Sequence, residues 1–549
     1  MNCHLRRLAG LVLVSIVWYM SHHQAIAHDH TLQAFLKYQR EVALQNPDID
    51  QRQPKSPHCH LTIEIVDAET KAPLPGLLRV TDTATNTRVK FAGLIARDNQ
   101  WHTMPSRAVV DVPQSKLRIE ALHGLEFEIV KHDVDLSGKH KATIQLALTR
   151  FYDAKAEGLR NGNTHLHLMK RTYGEALRYL REVPKGDGLD LVFLSHLRRI
   201  PDERHYISNK IVEGSLPGGE LKRLSQHGVL FSPGEEHRHN FGRGGEGYGH
   251  VMLLDIAKLI RPVSIGPGIM RSGNDGMTLR RGIKEARKDG ATIIWCHNTF
   301  GFEGIPNWMA GLLDAQNIYD GGNHGSYKDT FYRYLNLGMH VPFSTGTDWD
   351  IYDFSRVYVP IAGELTSAKW LSQLAAGRTF ITNGPILEFQ VGTNQIGDTI
   401  KLPESLAVDV HARAVGRSDF MQIELVYNGD VIFQKASRPD AGHFVASINR
   451  KLQVPASGWL ALRVTLSAGK NAFNRTLFAH TSPVYFELAG QRIFRAGVAR
   501  GLIADIEQGM ETITSKGKFD NDKDREAVLT VHRDGIMKLR ERIELQKKK

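Results

Sequence analysis

Cysteine is scarce in this chain of 549 residues, which contains only Cys3, Cys59 and Cys296. So few cysteines cannot form a disulfide framework, and stability must therefore come from apolar cores. Internal repeats and low-complexity tracts are also absent, which excludes a solenoid. A composition of 41% hydrophobic and 23% charged residues is typical of a globular protein. Because the length exceeds that of one ordinary core, we expect about two to four domains.

The sequence also lacks a stripe of basic residues interleaved with aromatic residues. Lys and Arg number 70 against 59 Asp and Glu. Part of this excess lies in charge-mixed helical sequence at residues 538–549, which is typical of a solvated face. The sequence therefore gives no support for a nucleic acid partner, and a nuclease would need a basic groove that it lacks.

The apolar run at residues 8–20 is shorter than the roughly 18 to 20 residues that cross a bilayer. Arg6 and Arg7 precede it, and Ala25-Ile26-Ala27 follows. This order of charged, apolar and small-residue segments is typical of a signal peptide rather than a membrane anchor. We predict cleavage after Ala27, export to the periplasm or the extracellular space, and no transmembrane segment in the mature chain.

The pattern of strands and helices divides the mature chain into five segments. Residues 28–57 predict a short helix and a linker, and alternating strands bounded by turns at 58–150 predict an N-terminal β-sandwich. Strands and helices alternate over 151–385, and a second β-sandwich is predicted over 386–488. A helical tail over 489–549 completes a multidomain fold of the α/β plus β class.

The middle segment, 151–385, is predicted in more detail. Helices are expected at 278–289, ending at Gly290, and at 366–376, ending at Gly377. Buried strands that alternate with helices predict a parallel sheet or barrel, whose chemistry lies at the carboxyl ends of the strands. The strands are predicted at residues 188–195, 228–233, 250–256, 291–296 and 340–346.

Histidines and carboxylates in this segment form a candidate metal site. His165 and His167 are two residues apart, so in an extended strand both imidazoles point to one side, where one metal can bind both. A lone pair of this kind is also compatible with ordinary polar surface. His250 opens a predicted strand, and other candidates directly follow the predicted strands: His196, Glu235, Glu236, His297 and Asp348.

The mixture of His, Glu and Asp suits zinc, manganese or iron, whereas thiolates would favour zinc alone. Cys296 neighbours His297, but strand alternation turns the thiol into the packing. Cys296 is therefore interpreted as a small buried hydrophobic residue.

The combined pattern resembles a known family. The order of HxH, strand-then-His, GEE, Gly-His, strand-then-His and GTD is similar to the PHP (polymerase and histidinol phosphatase) metallohydrolases, and more narrowly to their CehA/McbA-type members. The resemblance extends over roughly residues 160–487 and implies a PHP-like distorted β/α barrel flanked by the two β-sandwiches. Three further stretches carry it: WLSQLAAGRTFITNGPILEF (370–389), IELVYNGDVI (423–432) and FAHTSPVYF (478–486).

The resemblance also implies the ligands of two metals. Glu236 is chosen over Glu235 because the family motif is Gly-x-Glu, and Gly234 stands two residues before Glu236. Glu235 would then point away from the metals. Glu236 would bridge the two metals, and Glu236 and Asp348 are the implied catalytic residues. The first metal would be held by His165, His167, Glu236 and Asp348, and the second by Glu236, His250 and His297.

The chain departs from the family pattern at a third metal site. Leu194-Ser195-His196 stands where the family has Thr-Asp-His, and Asp348-Trp349-Asp350 stands where it has Asp-x-His. The second departure removes a ligand of the third metal. His196 is the main remaining candidate for that site, with His205 and Asp350 as alternatives. Two metals are expected, with a one-metal enzyme as the alternative.

Several other residues are candidates for substrate contact. Arg198 and Arg199 are predicted either to grip an anionic substrate, because guanidinium matches phosphate in a bidentate way, or to be surface arginines. His237 and His239 flank the predicted bridge and either face the pocket or lie in an exposed loop. Of these residues, Arg198 is assigned a catalytic role.

These observations predict an exported metal-dependent hydrolase that uses a metal-activated water on a phosphate ester or on another ester, amide or carbamate bond. Its cofactors would be two divalent transition metals, namely zinc, manganese or iron, and its partner a small-molecule ester or phosphoester. The alternative is a catalytically inactive protein that binds cell-envelope polymer or carbohydrate. The enzyme is favoured because an inactive lineage has no physical reason to keep so costly a polar cluster.

Overall fold

The computed structural model describes residues 57–198, 206–216, 219–239, 247–265, 274–297, 301–322, 326–465 and 469–547. The predicted signal peptide and nearly all of the predicted helix and linker at 28–57 lie outside these residues. Within the described part of the chain, no helix is both long enough and apolar enough to span a membrane.

The fold contains strands throughout and is mixed α/β. Their bounds are β1 His58–Asp67, β2 Gly76–Asp82, β3 Thr87–Arg88, β4 Ile95–Ala96, β5 His102–Met104, β6 Arg107–Pro113, β7 Lys116–Leu122, β8 Val130–Asp135, β9 Lys141–Leu148, β10 Leu159–His167, β11 Leu191–His196, β12 Leu230–His239, β13 Gly249–Leu254, β14 Ser264–Ile265, β15 Thr292–Trp295, β16 Ala315–Asn317, β17 Phe343–Ser344, β18 Asp348–Trp349, β19 Arg356–Pro360, β20 Phe380–Thr382, β21 Ile386–Val391, β22 Asn394–Gln395, β23 Thr399–Leu402, β24 Ala407–Gly416, β25 Gln422–Tyr427, β26 Asp430–Ala436, β27 Arg438–Asp440, β28 His443–Gln453, β29 Gly458–Val464, β30 Ala479–Thr481 and β31 Val484–Leu488.

The helices cluster in the middle segment and at the C-terminus. Their bounds are α1 Tyr173–Gly186, α2 Ile207–Glu213, α3 Glu220–Ser225, α4 Leu279–Lys288, α5 Gly304–Met309, α6 Phe331–Leu335, α7 Ser367–Ala375, α8 Ala496–Lys516 and α9 Asp522–Lys547.

Two sheets at the N-terminus share one apolar core. In the first, β1 pairs antiparallel with β6 and parallel with β9. In the second sheet, the strand order is β4-β5-β2-β7-β8, and β3 pairs with β2. Alternate residues of β1, including Cys59, Leu61 and Ile63, are buried in the core between them. The period-2 pattern of the sequence therefore corresponds to strands, as predicted.

A curled half-barrel sheet forms the middle of the chain. Strands β10, β11 and β12 run parallel, as the alternation of strands and helices predicts. The expectation of a wholly parallel sheet is wrong at β13, which pairs antiparallel with both β12 and β15. The chain therefore reverses its direction between β12 and β13. Strand β10 also pairs with β18 in parallel and with β19 antiparallel.

The two predicted helices of this segment are confirmed, and their caps explain their bounds. The side chain of Thr278 accepts a hydrogen bond from Arg281 N at the start of α4, and Gly290 follows the helix with a φ of +82°. Thr366 caps α7 in the same way. Such caps satisfy backbone donors that a helix start otherwise leaves unpaired.

The strands after residue 385 are hydrogen-bonded to the curled sheet. Strand β19 pairs with β20, which pairs with β30, so the sheet continues across the predicted boundary. A separate sheet of order β22-β21-β24-β28-β27 packs over a shared apolar core. The C-terminal tail is helical, as predicted, and forms two helices, α8 and α9. Asp522 and Asp524 lie in the first turn of α9, where negative charge favours a helix start.

Candidate metal centre

The HxH pair lies at the carboxyl end of β10, and both imidazoles are fully buried. Their Nε2 atoms are 3.0 Å apart. His167 Nδ1 is 3.0 Å from the carbonyl oxygen of Ser195, which can only accept, so this Nδ1 donates. His165 Nδ1 lies 2.9 Å from Asp320 Oδ2. With both Nδ1 atoms donating, the Nε2 atoms of the two imidazoles point at one place, where a bound cation would accept both lone pairs.

Glu236 and Asp348 complete a group of four ligand atoms with the HxH pair. Glu236 Oε2 is 3.0 Å from His167 Nε2 and 3.7 Å from His165 Nε2. Asp348 Oδ1 is 3.4 Å from His165 Nε2, is buried and has no hydrogen-bond partner among the described residues. Ligands about 2.0 Å from a metal in a tetrahedron are about 3.3 Å from one another. The measured separations therefore match the ligand shell of one transition-metal ion.

Asp348 reaches the group because its segment lies directly against β10. Thr347 N donates to His165 O, and Asn163 holds Thr347 through its amide group. Gly346 permits this close approach, since a Cβ there would lie 2.5 Å from His165 Cβ. Asp348 itself has a φ of +58°, and His297 has a φ of +53°. Such backbone is uncommon outside glycine and clusters at functional sites.

Glu236 lies between two groups of ligands. While Oε2 faces the HxH pair, Oε1 is 3.2 Å from His250 Nδ1. Ligand atoms of Glu236, His250 and His297 all lie within 4.8 Å of one another. The six residues that the sequence and its resemblance indicated are thus brought together, and Glu236 belongs to both of these groups.

The strand that carries Glu236 is longer than predicted. The prediction placed both glutamates just past a strand end, but β12 continues to His239 and contains them. Alternation along β12 turns Glu235 to the opposite face, where it bonds His237 Nδ1 at 2.8 Å and Ile260 N at 2.8 Å. The expectation that Glu235 points away from the metal ligands is confirmed.

Sequence reasoning missed Asp320, which orients one histidine of each group. Its Oδ2 accepts from His165 Nδ1 at 2.9 Å, and its Oδ1 lies 3.0 Å from His297 Nδ1. Asn317 donates to the same carboxylate at 3.0 Å. A carboxylate on the Nδ1 of a histidine fixes the tautomer that presents Nε2 to a metal. Asp320 lies just past β16, but that strand has only three residues and gives no alternation signal.

The buried charges of the centre favour a cation. Burial opposes ionisation of Glu236 and Asp320, but hydrogen bonds and charges from the neighbouring histidines hold the pKa of both carboxyls below the usual range. Burial alone would lower the pKa of His297, yet Asp320 raises it to about 9. Burial raises the pKa of Asp348. The carboxylates thus stabilise positive charge in this pocket, which is what metal binding requires.

The two described candidates for a third metal, His196 and Asp350, belong to none of the ligand groups. His196 is the last residue of β11, and its Nε2 bonds Glu213 Oε1 at 3.0 Å. Asp350 Oδ1 bonds Arg171 Nη1 at 2.6 Å. His205 lies outside the described residues. The structure therefore does not place His196 or Asp350 among the ligand groups.

None of the other predicted contact residues in the described part of the chain belongs to a ligand group. Arg198 is exposed, two residues past the end of β11, and Arg199 lies outside the described residues. His237 and His239 are buried on the face of β12 opposite Glu236, which contradicts both an exposed loop and a pocket position for them. Cys296 is fully buried in the apolar core, as predicted.

The donor set fits divalent transition metals, because imidazole nitrogens and carboxylate oxygens converge in a buried pocket. The centre is therefore a candidate metal site in which three possible ligand groups overlap: His165, His167, Glu236 and Asp348; Glu236, His250 and His297; and His165, His297 and Asp320. Comparisons of the chain with protein-family models, with curated proteins and with solved structures found no match.

Proposed function

We propose that this protein is an exported metal-dependent hydrolase, built on a PHP-like barrel of the CehA/McbA type between two β-sandwiches. One metal would be held by His165, His167, Glu236 and Asp348, and a second by Glu236, His250 and His297. The proposal is supported most by the position of Glu236, whose two carboxylate oxygens face different groups of histidines.

Two divalent cations held in this way would lower the pKa of a bound water and stabilise negative charge on the group that the water attacks. The side chains of the protein prepare the pocket for this chemistry. Asp320 holds His165 and His297 in the tautomer that exposes Nε2, and Ser195 O does the same for His167. Because the ligands are buried, bulk water is kept away and charges interact strongly. The proposed substrates are phosphate esters or other ester, amide or carbamate compounds.

Burying this cluster of ionisable side chains costs free energy, and this cost favours a catalytic role over a purely structural one. Six ionisable ligand residues converge in this pocket, and the most exposed of their side chains, that of His297, is only 13% exposed. Such groups are expensive to bury unless they bind something that compensates them. Clusters of buried ionisable groups such as this one are found mainly at functional sites.

An assay of the metal-loaded protein on an ester panel tests this function. We expect turnover of nitrophenyl phosphate, nitrophenyl acetate or a nitrophenyl carbamate that stops with a chelator and returns when zinc, manganese or iron is added. A preparation of His165→Ala, treated in the same way, checks that the turnover belongs to this centre. Glycan binding without turnover of any ester would instead support the inactive binding protein.

A further inference from the structure

A cleft of about 440 Å³ is lined by residues of the curled sheet and of the separate sheet of order β22-β21-β24-β28-β27. The curled sheet contributes Leu159 on β10 and Pro360 on β19, which pair with one another. The separate sheet contributes residues of β21, β24 and β28. Small-molecule sites commonly have volumes of about 300 to 1,000 Å³. The cleft is therefore large enough for a small ligand.

This cleft is remote from the metal ligands. Leu159 is the first residue of β10, whereas His165 and His167 lie at the carboxyl end of the same strand. The step from Leu159 to His165 spans roughly 20 Å, because a strand rises about 3.3 Å per residue. A small ligand held in the cleft would therefore not contact the metal ligands, and it would differ from the substrate of the proposed hydrolase.

Polar side chains line the cleft in two rows that cross three strands of the separate sheet. Residues directly opposite one another on neighbouring strands have their side chains on the same face of a sheet. The three strands thus present hydrogen-bonding groups side by side. The first row is Glu388, Arg413 and Ser447, and the second row is Gln390, His411 and Asn449.

The arginines of the cleft are already compensated by carboxylates. Arg413 Nη1 is 2.7 Å from Glu388 Oε1, and Arg378 Nη2 is 2.8 Å from Asp398 Oδ1. The side chain of Glu157 forms no ion pair or hydrogen bond with the described residues, and it adds a negative charge to the lining. The other polar groups are amides, hydroxyls and an imidazole, which are neutral and both donate and accept. The cleft therefore disfavours an anion and suits a neutral polar ligand.

Tyr152 lines the cleft with a hydroxyl group that no described residue binds. The residue as a whole is only 8% exposed. Burial, together with the nearby charges of Glu388 and Glu157, raises the pKa of Tyr152, so the hydroxyl stays protonated and can donate. A largely buried tyrosine usually has a partner for its hydroxyl. A ligand with an acceptor oxygen would provide this partner.

Apolar surface lies beside these polar groups. Leu159, Pro360 and Ile396 line the cleft and are each partly exposed. Sugars fit such a combination, because their hydroxyls both donate and accept while the C–H faces of their rings are apolar. A phosphate or carboxylate would meet the negative charge of Glu157 instead. A wholly apolar ligand would leave the rows of polar side chains without partners.

We propose that this cleft binds a neutral carbohydrate, with Tyr152 and Asn449 hydrogen-bonded to sugar hydroxyls and the apolar side chains packed against the ring. The site goes beyond the proposed hydrolase function and does not depend on it. Binding there would hold the protein on a glycan while the metal ligands, at the other end of β10, remain free for a separate substrate.

Calorimetry of the metal-loaded protein with cellohexaose, maltohexaose, laminarihexaose and N-acetylchitohexaose tests the site. We expect at least one of these neutral oligosaccharides to bind with a Kd of about 1 mM or lower. A hexamer of galacturonic acid, which is anionic, should bind at least about 10-fold more weakly, because Glu157 repels it.

Two substitutions assign the binding to the cleft. Tyr152→Phe keeps the ring and removes only the hydroxyl, and it should weaken oligosaccharide binding by about 3- to 10-fold. Asn449→Ala should have an effect of the same size, because Asn449 is exposed in the second row. Tyr173→Phe is the matched control, since it removes a hydroxyl from an exposed tyrosine at the start of α1 and should bind like the wild type.

The metal centre provides a second control. His165→Ala should bind the oligosaccharide like the wild type, and saturating oligosaccharide should not inhibit hydrolysis of nitrophenyl phosphate. No binding of any neutral oligosaccharide, tighter binding of the anionic hexamer, competitive inhibition of hydrolysis, or wild-type affinity in both Tyr152→Phe and Asn449→Ala would each overturn the proposal. If Tyr152→Phe does not fold, Asn449→Ala decides by the same criteria. Oligosaccharide binding by a protein that cleaves no ester would reject the proposed function and still support this site.

Discussion

Replacement of Glu236 by glutamine is expected to lower ester hydrolysis by about 1,000-fold or more, equivalent to about 4 kcal/mol of barrier. The amide keeps the size of the side chain but loses the charge and one of the two acceptor oxygens. Because Oε2 faces the HxH pair and Oε1 faces His250, both ligand groups are weakened at once. Elemental analysis should show a fall in metal content together with the loss of turnover.

Glu235→Gln is the matched control, because it makes the same change at the neighbouring, equally buried position. Glu235 bonds His237 and Ile260 on the opposite face of β12. We expect this variant to keep its metals and most of its activity, with a stability cost of about 1 to 3 kcal/mol. Equal effects of the two substitutions, or full activity in Glu236→Gln, would contradict a bridging role.

Removal of the metals is expected to lower the thermal stability of the folded protein strongly. Without a cation, lone pairs of four ligand atoms face one another at separations of 3.0 to 3.7 Å. A ligand present at about 1,000 times its Kd stabilises the native state by about 4 kcal/mol. For a domain of about 150 to 250 residues, a loss of about 4 kcal/mol in the free energy of unfolding would lower Tm by about 8 to 16 °C. Calorimetry of the chelated and the reloaded protein measures the difference.

His165→Ala provides the control for this measurement. The variant lacks one ligand of the first group and the hydrogen bond to Asp320. Chelation should therefore change its Tm much less than that of the wild type. A chelator that leaves the wild-type Tm unchanged would show that the cluster is stable without metal.

The ligands of the centre are the part of the site that the sequence predicts best. Because His165 and His167 are two residues apart, their side chains point to the same side of any strand, whatever fold surrounds it. The helix ends were also predictable, because Thr278 and Gly290 act locally at the two ends of α4. Local physical rules thus identified residues whose environment is set by their immediate neighbours.

Residues that act through long-range geometry were not predictable. Asp320 meets His165 across 155 positions of sequence, after a strand too short to give a pattern. The register between β12 and β13 was not visible either, because the predicted strand ended at residue 233. The antiparallel direction of β13 was missed for a related reason, since strand direction depends on pairing rather than on composition.

Motifs that support the resemblance outside the centre have structural roles in the described chain. The Trp370 ring packs against Gly162 on β10, where a Cβ would lie only 2.8 Å from it. His480 Nδ1 donates to Thr481 O, so its Nε2 accepts from the Tyr332 hydroxyl at 2.7 Å. Arg463 also donates to that hydroxyl, which satisfies the buried network. These side chains stabilise the sheet instead of contacting a metal.

Anomalous diffraction from crystals of the metal-loaded protein tests the two-metal centre most directly. We expect two peaks about 3.5 to 4 Å apart on either side of the Glu236 carboxylate, each about 2.0 to 2.3 Å from its ligands. One should lie by His165, His167 and Asp348, and the other by His250 and His297. Fully loaded crystals with no peak between these side chains, or with metal bound only elsewhere on the protein, would contradict the account.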